Sequence, residues 1–425
     1  MSGDQVSETT CSIYSSGAPL GLEGDSSPDE YTYQPLQHGK HIRLLVLSSH
    51  STASPSAPDD PMSATCVIHA TLKTIELNLD GSSPQPYRAL SYEWGPPPQV
   101  HTDLPTINLD GHTVRVRQNL HDALKAIIRA GFNKSSDAPM PLWIDALCIN
   151  QGDDREKGHQ VELMRDIFAA AETVLVWLGR LGEEAEEAME TMRELSIMSQ
   201  KKEASAIYIR TRKTAMGIAK LCSASYWRRV WIIQEFVMAN DYVILCGNYF
   251  VKKRRFEEVL ELTVTEPVAR GQVYCSWVGF QYDNHPTYQA FWSPAFEMIK
   301  LRETRLKGVT TTLAEWMRLC VMNDFRATDP RDYVYALLGI SNDCTGMITP
   351  DYTQAVRDVF KEAVRVLCYH DHSGYKDIKY FNLCRCYERL MGLSFSFLTV
   401  DWILPTAIRD RLIRDRELEI LLREE

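Results

Sequence analysis

The chain has 425 residues, 44% of them hydrophobic and 24% charged, with a formal net charge of -10. This is average globular material, long enough for a large core and for more than one structural unit. The acidic balance excludes a general affinity for nucleic acid or anionic membrane, since both favour basic surfaces, and the short basic cluster Lys252 to Arg255 reads as a solvated face.

The N-terminal MSGDQVSETTCS has neither the basic nor the apolar region of a signal peptide. No apolar run reaches the roughly 18 residues of a membrane span, and the longest candidate, Leu390 to Leu404, carries Asp401. These features lead to the expectation of a cytoplasmic protein with reduced thiols. The pairs Cys384/Cys386 and His370/His372 lack zinc-ligand spacing, so no metal is expected.

Residues 1–30, rich in Ser, Gly, Asp and Pro, are expected to form a disordered leader. Ile42 to Leu47 reads as a strand followed by a mobile Ser/Pro-rich loop, and the alternation from Cys66 to Leu79 as a strand in a hairpin arm before the main sheet. Arg88 to Trp94 is a short strand stopped by Gly95 and three prolines. Asp110-Gly111 is a two-residue hairpin turn. A helix capped by Asn119 follows, with Leu120, Leu124, Ile127 and Ile128 on one face.

Leu142 to Ile149 is a nearly continuous apolar run interrupted only by Asp145, which reads as a buried parallel strand leading into an Asn150 to Asp154 turn. The next helix presents Val161, Met164, Ile167, Phe168 and Ala171, and leads into the strand Thr173 to Leu178. Helical patterns over Glu183 to Met198 and Tyr226 to Met238, the latter capped by Ser223 or Ser225, precede the strand Asp241 to Cys246. Val251 to Thr310 shows no period. Helices resume at Leu313 to Met322, Tyr333 to Leu338 and Val356 to Tyr369. Strands alternating with helices imply a predominantly parallel sheet flanked by helices, with a helical C-terminal extension.

Three segments concentrate chemistry. In YWRRVWIIQE, Trp227, Trp231 and Glu235 fall at i, i+4 and i+8, so a continuous helix would put two indoles and a carboxylate on one face. A glutamate with apolar neighbours either holds its proton tightly or is anchored by Arg228 or Arg229. Asp145 binds backbone amides at a turn or serves a ligand. Ser91, Tyr92 and Trp94 end a strand beside the same crevice, where Trp94 packs or stacks on a planar ring. Arg155, Glu156 and Lys157 read as a solvated helix start with one phosphate contact, and Asp329, Arg331 and Asp332 as a helix-capping ion-pair cluster. The absence of G-x-G-x-x-G, Walker A and G-x-S-x-G patterns gives no support to a redox dinucleotide enzyme, an NTPase or an acyl hydrolase.

The ordered blocks YRALSYEWG, LWIDALCINQ, Glu156 with QVELM, YWRRVWIIQE and DPRDYVYALLGI resemble the fungal heterokaryon incompatibility (HET) family. The resemblance runs over about Tyr31 to Tyr352, and its diagnostic core is Tyr87 to about Ala239. It implies non-self recognition and regulated cell death, with self-association and a non-self-sensing partner protein. W-x-x-x-E followed by a short connection and a strand also resembles TIR domains that cleave NAD. That resemblance implies a TIR/flavodoxin-like fold, Glu235 as the catalytic residue, and NAD as substrate without a cofactor. Substrate binding would then fall to Ser91, Trp94, Asp145 and Trp231. A non-catalytic self-associating adaptor of the same fold is the alternative.

The corresponding division is a leader to residue 30, N-terminal strands and a mobile loop over 31–86, and the HET (TIR-like) domain over 87–250. An irregular aromatic-rich insertion over 251–310, a helical extension over 311–370 and an atypical charged tail over 371–425 complete it.

Overall fold

The computed structural model describes residues 31–37, 39–48, 67–78, 80–95, 104–135, 138–197, 212–269, 293–369, 386–387 and 389–393. The expected leader, the Ser/Pro-rich loop and most of the charged tail lie outside the described residues.

Eleven strands are described. β1 (His41–Leu47), β2 (Ile68–Glu76), β3 (Arg88–Tyr92), β4 (Thr106–Leu109) and β5 (His112–Arg115) precede helix α1 (Gln118–Arg129). A small separate hairpin, β6 (Lys134–Ser135) with β7 (Ala138–Pro139), leads to β8 (Leu142–Trp143) and α2 (Asp145–Cys148). Then come α3 (Asp154–Ala170), β9 (Thr173–Trp177), α4 (Glu183–Ile197) and α5 (Arg212–Cys222). A 3-10 turn (Ser225–Arg228) and α6 (Ile232–Val237) are followed by β10 (Tyr242–Cys246) and β11 (Tyr249–Lys252). The remaining helices are α7 (Lys253–Ala269), α8 (Pro294–Leu306), α9 (Leu313–Met322), α10 (Asp332–Leu338) and α11 (Val356–Tyr369).

Nine strands form one mixed sheet in the order β11-β10-β9-β3-β8-β1-β2-β4-β5. Its centre, β10-β9-β3-β8, is parallel throughout. β8, β9 and β10 are buried at every residue and β3 at all but Arg88, and the Val, Leu and Ile-rich sequences of β9 and β10 are those of a sheet covered on both faces. After β3 the chain forms β4 and β5 at the far margin of the sheet and then α1 before returning beside β3 as β8; from there it passes through α3 over β3 to β9 on the other side. The carboxyl ends of β3 and β9 therefore flank the point where the strand order reverses, the usual ligand crevice of such sheets.

Antiparallel pairs finish both sides of the sheet: β1 against β8 and β2, β4 against β5, and β11 against β10. β2 is thus a full member of the main sheet, hydrogen-bonded along all of β1, rather than an arm in front of it. The β4-β5 turn is Asp110-Gly111, both at positive φ (50° and 90°), the primed geometry that matches strand twist.

Four local expectations fail for identifiable reasons. The apolar run from Leu142 is a strand for only two residues and then turns into α2, so Asp145 opens a helix instead of interrupting a strand. A short apolar run has no periodicity to separate buried strand from buried helix. Asn119 does not cap α1, whose N-cap is Arg117; its amide donates to Glu93 O and accepts from Trp177 Nε1 at 2.8 Å, tying β3 to β9. The Tyr226 to Met238 pattern breaks at Arg229, which is extended (φ -73°, ψ 133°), and neither Ser223 nor Ser225 caps it. Finally, α7 and α8 are helical where the sequence shows no period.

Candidate functional site

The break at Arg229 builds the site. Because the 3-10 turn ends there and α6 restarts at Ile232, Tyr226, Arg229 and Glu235 can turn toward one point. α6 lies against β3 and α3. Ser91, on β3 and fully buried, donates from Oγ to Glu235 Oε2, and its Oγ also lies 2.6 Å from the Tyr226 hydroxyl. Arg229 Nη1 approaches Glu235 Oε2 at 3.5 Å and donates to the carbonyl of Tyr92, at the end of β3. Glu235 is 3% exposed, so this carboxylate is enclosed.

A second carboxylate sits nearby. Asp145 Oδ2 accepts from Trp94 Nε1 at 2.7 Å and its Oδ1 from the backbone of Ala146 at 2.7 Å. Arg117 lies over the Trp94 ring, 5.2 Å from its centroid. The guanidinium of Arg229 interacts with both carboxylates.

Burial pushes the proton affinity of Glu235 up, Arg229 and the Ser91 hydroxyl oppose it, and the carboxyl stays above its ordinary range. Asp145 is raised in the same way, with Arg229 and Trp94 opposing. Burial disfavours the Arg229 charge, but Glu235, Asp145 and two tyrosines outweigh it and hold the guanidinium firmly protonated. One cation thus serves two acids, both of which hold their protons more tightly than ordinary carboxyls.

Of the residues expected at the site, Ser91 meets Glu235 and Trp94 meets Asp145, all at the carboxyl side of β3 and β8. Trp231 does not join them. Trp231 is the N-cap residue of α6, and Trp227 packs with Tyr226, Phe236 and Phe256, because the helix break removes the shared face. Of the two candidate cations, Arg229 pairs with Glu235, whereas Arg228 reaches Asn323 O and Asp324. Arg117 and Tyr226 are not anticipated by the sequence; Tyr226 lies inside a quoted motif, but an interrupted helix leaves no periodic signal to pick it out.

Glu156 also departs from expectation. Instead of starting a solvated helix it is clamped by Arg43 through both carboxylate oxygens, at 2.5 and 2.9 Å, and accepts from Asn150 N at 2.7 Å. Arg43 further donates to Cys148 O, so β1 fixes the loop that follows Asp145. Asp153 supplies the cap of α3, accepting from the amides of Arg155 and Glu156.

The segment over residues 87–235 matches the sequence model of the family described as Heterokaryon incompatibility protein (HET). That match begins at Tyr87, immediately before β3, and ends at Glu235, so it encloses the whole carboxylate cluster. The chain is also 26% identical over 376 residues to Heterokaryon incompatibility protein 6, OR allele, of Neurospora crassa, covering 77% of this chain and 52% of that protein. It spans about half the length of that relative. No solved structure matches. Among the described residues no His, Cys, Asp and Glu side chains gather as a metal site, and no helix is long and apolar enough to cross a membrane.

Proposed function

We propose that this chain is a heterokaryon incompatibility domain protein acting in fungal non-self recognition and regulated cell death, and that the Glu235 cluster cleaves NAD. The observation that carries the chemical part is the meeting of Ser91 on β3 with Glu235 on α6, beside a second carboxylate, near the carboxyl ends of the parallel strands. Numbered by chain order, the parallel strands β8-β3-β9-β10 read 2-1-3-4, which supports a TIR/flavodoxin-like arrangement.

Rupture of a nicotinamide ribosidic bond passes through an oxocarbenium-like state, which a carboxylate on the ribose face stabilises. Glu235 would take that role in place of its contacts with Arg229 and Ser91. Asp145 and Trp94 would border the ring that leaves. No cofactor is required.

The enclosure of Glu235 favours a second reading, a non-catalytic adaptor in which the Arg229-Glu235-Ser91 network only fixes the fold. Incubating purified protein with NAD and assaying free nicotinamide separates the two: release that disappears in Glu235→Gln supports cleavage, and no release from the parent supports the adaptor.

A further inference from the structure

The four residues of α2 carry Asp145 but cannot hold their own shape, because a single helical turn leaves its last carbonyls without backbone partners. Those carbonyls are taken up from outside the turn. The Tyr33 hydroxyl donates to Leu147 O at 3.1 Å, Arg43 Nη1 to Cys148 O at 3.0 Å and Gln151 Nε2 to Asp145 O at 3.0 Å. At the start of the turn, Ile144 N donates to Cys148 Sγ at 3.3 Å. Tyr33 and Arg43 lie before Tyr87, where the family match begins, so part of what fixes this turn stands outside the matched segment.

Strand register explains why Arg43 reaches it. Leu45 pairs with Leu142 where β1 meets β8, and the antiparallel register then sets Arg43 opposite Ile144, the point at which the chain leaves the sheet. Arg43 is 2% exposed. Its Nη1 donates to Cys148 O and Glu156 Oε1, and its Nη2 to Gln34 O at 2.6 Å and Glu156 Oε2. The guanidinium lies 4.9 Å from the centroid of the Tyr33 ring. Glu156 in turn accepts from Asn150 N at 2.7 Å, so one ion pair grips the chain on both sides of Ile149. A two-pronged pair of this kind fixes direction as well as distance, and it passes that rigidity to the turn.

We propose that Arg43, assisted by Tyr33, is a positioning residue that sets Asp145 against Trp94; this rests on the site reading above. Both side chains hold the carbonyl end of α2, while the carboxylate of its opening residue meets Trp94 Nε1 at 2.7 Å. A turn released at its carbonyl end carries Asp145 away from Trp94, and the hydrogen bond between them lengthens. Because Asp145 and Trp94 would border the departing ring, Arg43 acts on how well the site holds NAD rather than on Glu235.

Nitrogen-proton NMR spectra of the tryptophan indoles in the full chain test this. Trp94→Phe assigns the Trp94 signal, and Asp145→Ala marks its position without the acceptor. Trp177, whose indole donates to Asn119 Oδ1 at 2.8 Å, is the internal control. Arg43→Lys keeps the charge but cannot reach two carbonyls and a carboxylate together, so the Trp94 proton should move upfield most of the way to its Asp145→Ala position while Trp177 stays in place. Tyr33→Phe, which loses one hydroxyl, should move it the same way by less. An unmoved Trp94 signal in Arg43→Lys overturns the proposal, as does one that moves together with Trp177. If Arg43→Lys does not fold, the Tyr33→Phe spectrum decides in the same way. Where nicotinamide is released, KM for NAD should rise about tenfold in Arg43→Lys with kcat changed less, and a parent-like KM also overturns the proposal. A parent that releases none counts against NAD cleavage alone, because the indole signals decide the positioning independently.

Discussion

Ser91 and Glu235 share a hydrogen bond although 144 positions separate them in the chain. β3 brings the hydroxyl and α6 the carboxylate, so this bond is formed only once the sheet and the helix have docked. It links the folding of the first and last elements of the HET match directly to the chemistry of the cluster.

Replacing Glu235 with Gln keeps the shape and leaves an amide oxygen to accept from Ser91, but removes the charge needed opposite a ribosyl cation. Nicotinamide release should fall about a hundredfold or more, with a thermal midpoint within a few degrees of the parent. Activity at the parent rate in a folded variant would end the catalytic assignment.

Arg229→Met leaves an enclosed carboxylate without its cation. Breaking a buried pair from one side costs about 3–5 kcal/mol, so the variant should unfold at markedly lower denaturant concentration. Combining it with Glu235→Gln should restore part of the loss, because the double variant has no orphaned charge. A double variant no better than the single one by urea titration would show that Arg229 stabilises the chain mainly through its bond to Tyr92 O.

Asp332 makes global stability pH-dependent. Its folded pKa of about 6 lies above the ordinary carboxylate value, so the folded chain binds the proton more tightly than the unfolded chain. This group's contribution to stability therefore grows as pH falls from about 7 toward 4, by roughly 2–3 kcal/mol if the pair of states is fully sampled. Glu235 and Asp145, also raised, act in the same direction. Unfolding free energies of the parent minus those of Asp332→Asn, taken across that window, isolate its share; a flat difference would contradict the assignment.

Gly158 tests how the C-terminal segment sits on the core. An added Cβ would lie 2.9 Å from the carbonyl oxygen of Pro350, a backbone atom that cannot swing aside. Gly158→Ala should cost about 1–3 kcal/mol despite the better helix propensity of alanine, whereas Gly111→Ala, open in space but at positive φ, tests turn strain instead. Equal or higher stability in Gly158→Ala by thermal melting would mean that the 350 region moves off α3 without penalty.

The sheet was legible because β9 and β10 are runs of buried aliphatic residues bounded by Gly and polar turns, a pattern with one ready interpretation. The segments around the site were not, and for a physical reason. Trp227, Trp231 and Glu235 sit at helical spacing, yet Arg229 takes an extended backbone because Arg228 O and Val230 N pair with Arg326, almost a hundred residues away. Local spacing carries no trace of such a partner. Asp145 illustrates the same limit: Ile144 is extended, but Ala146 N turns onto the Asp145 carboxylate and the chain coils, a choice set by Trp94 and Arg229 rather than by its neighbours in sequence. Burial of Glu156 depended on Arg43, which reads as an ordinary strand-surface arginine until β1 is placed beside β8.

The ends of the large sheet bear on how copies of this chain could join. Its two outermost strands, β5 and β11, are four residues each, carry Arg115 and Lys252, and are the return arms of tight hairpins. Short, cationic margins of this kind are poor templates for adding a strand from another chain. Assembly by extending the sheet from molecule to molecule is therefore disfavoured at both of these margins, which leaves, among the described residues, the helical and loop surfaces, where individual side chains rather than backbone ladders decide which partner fits.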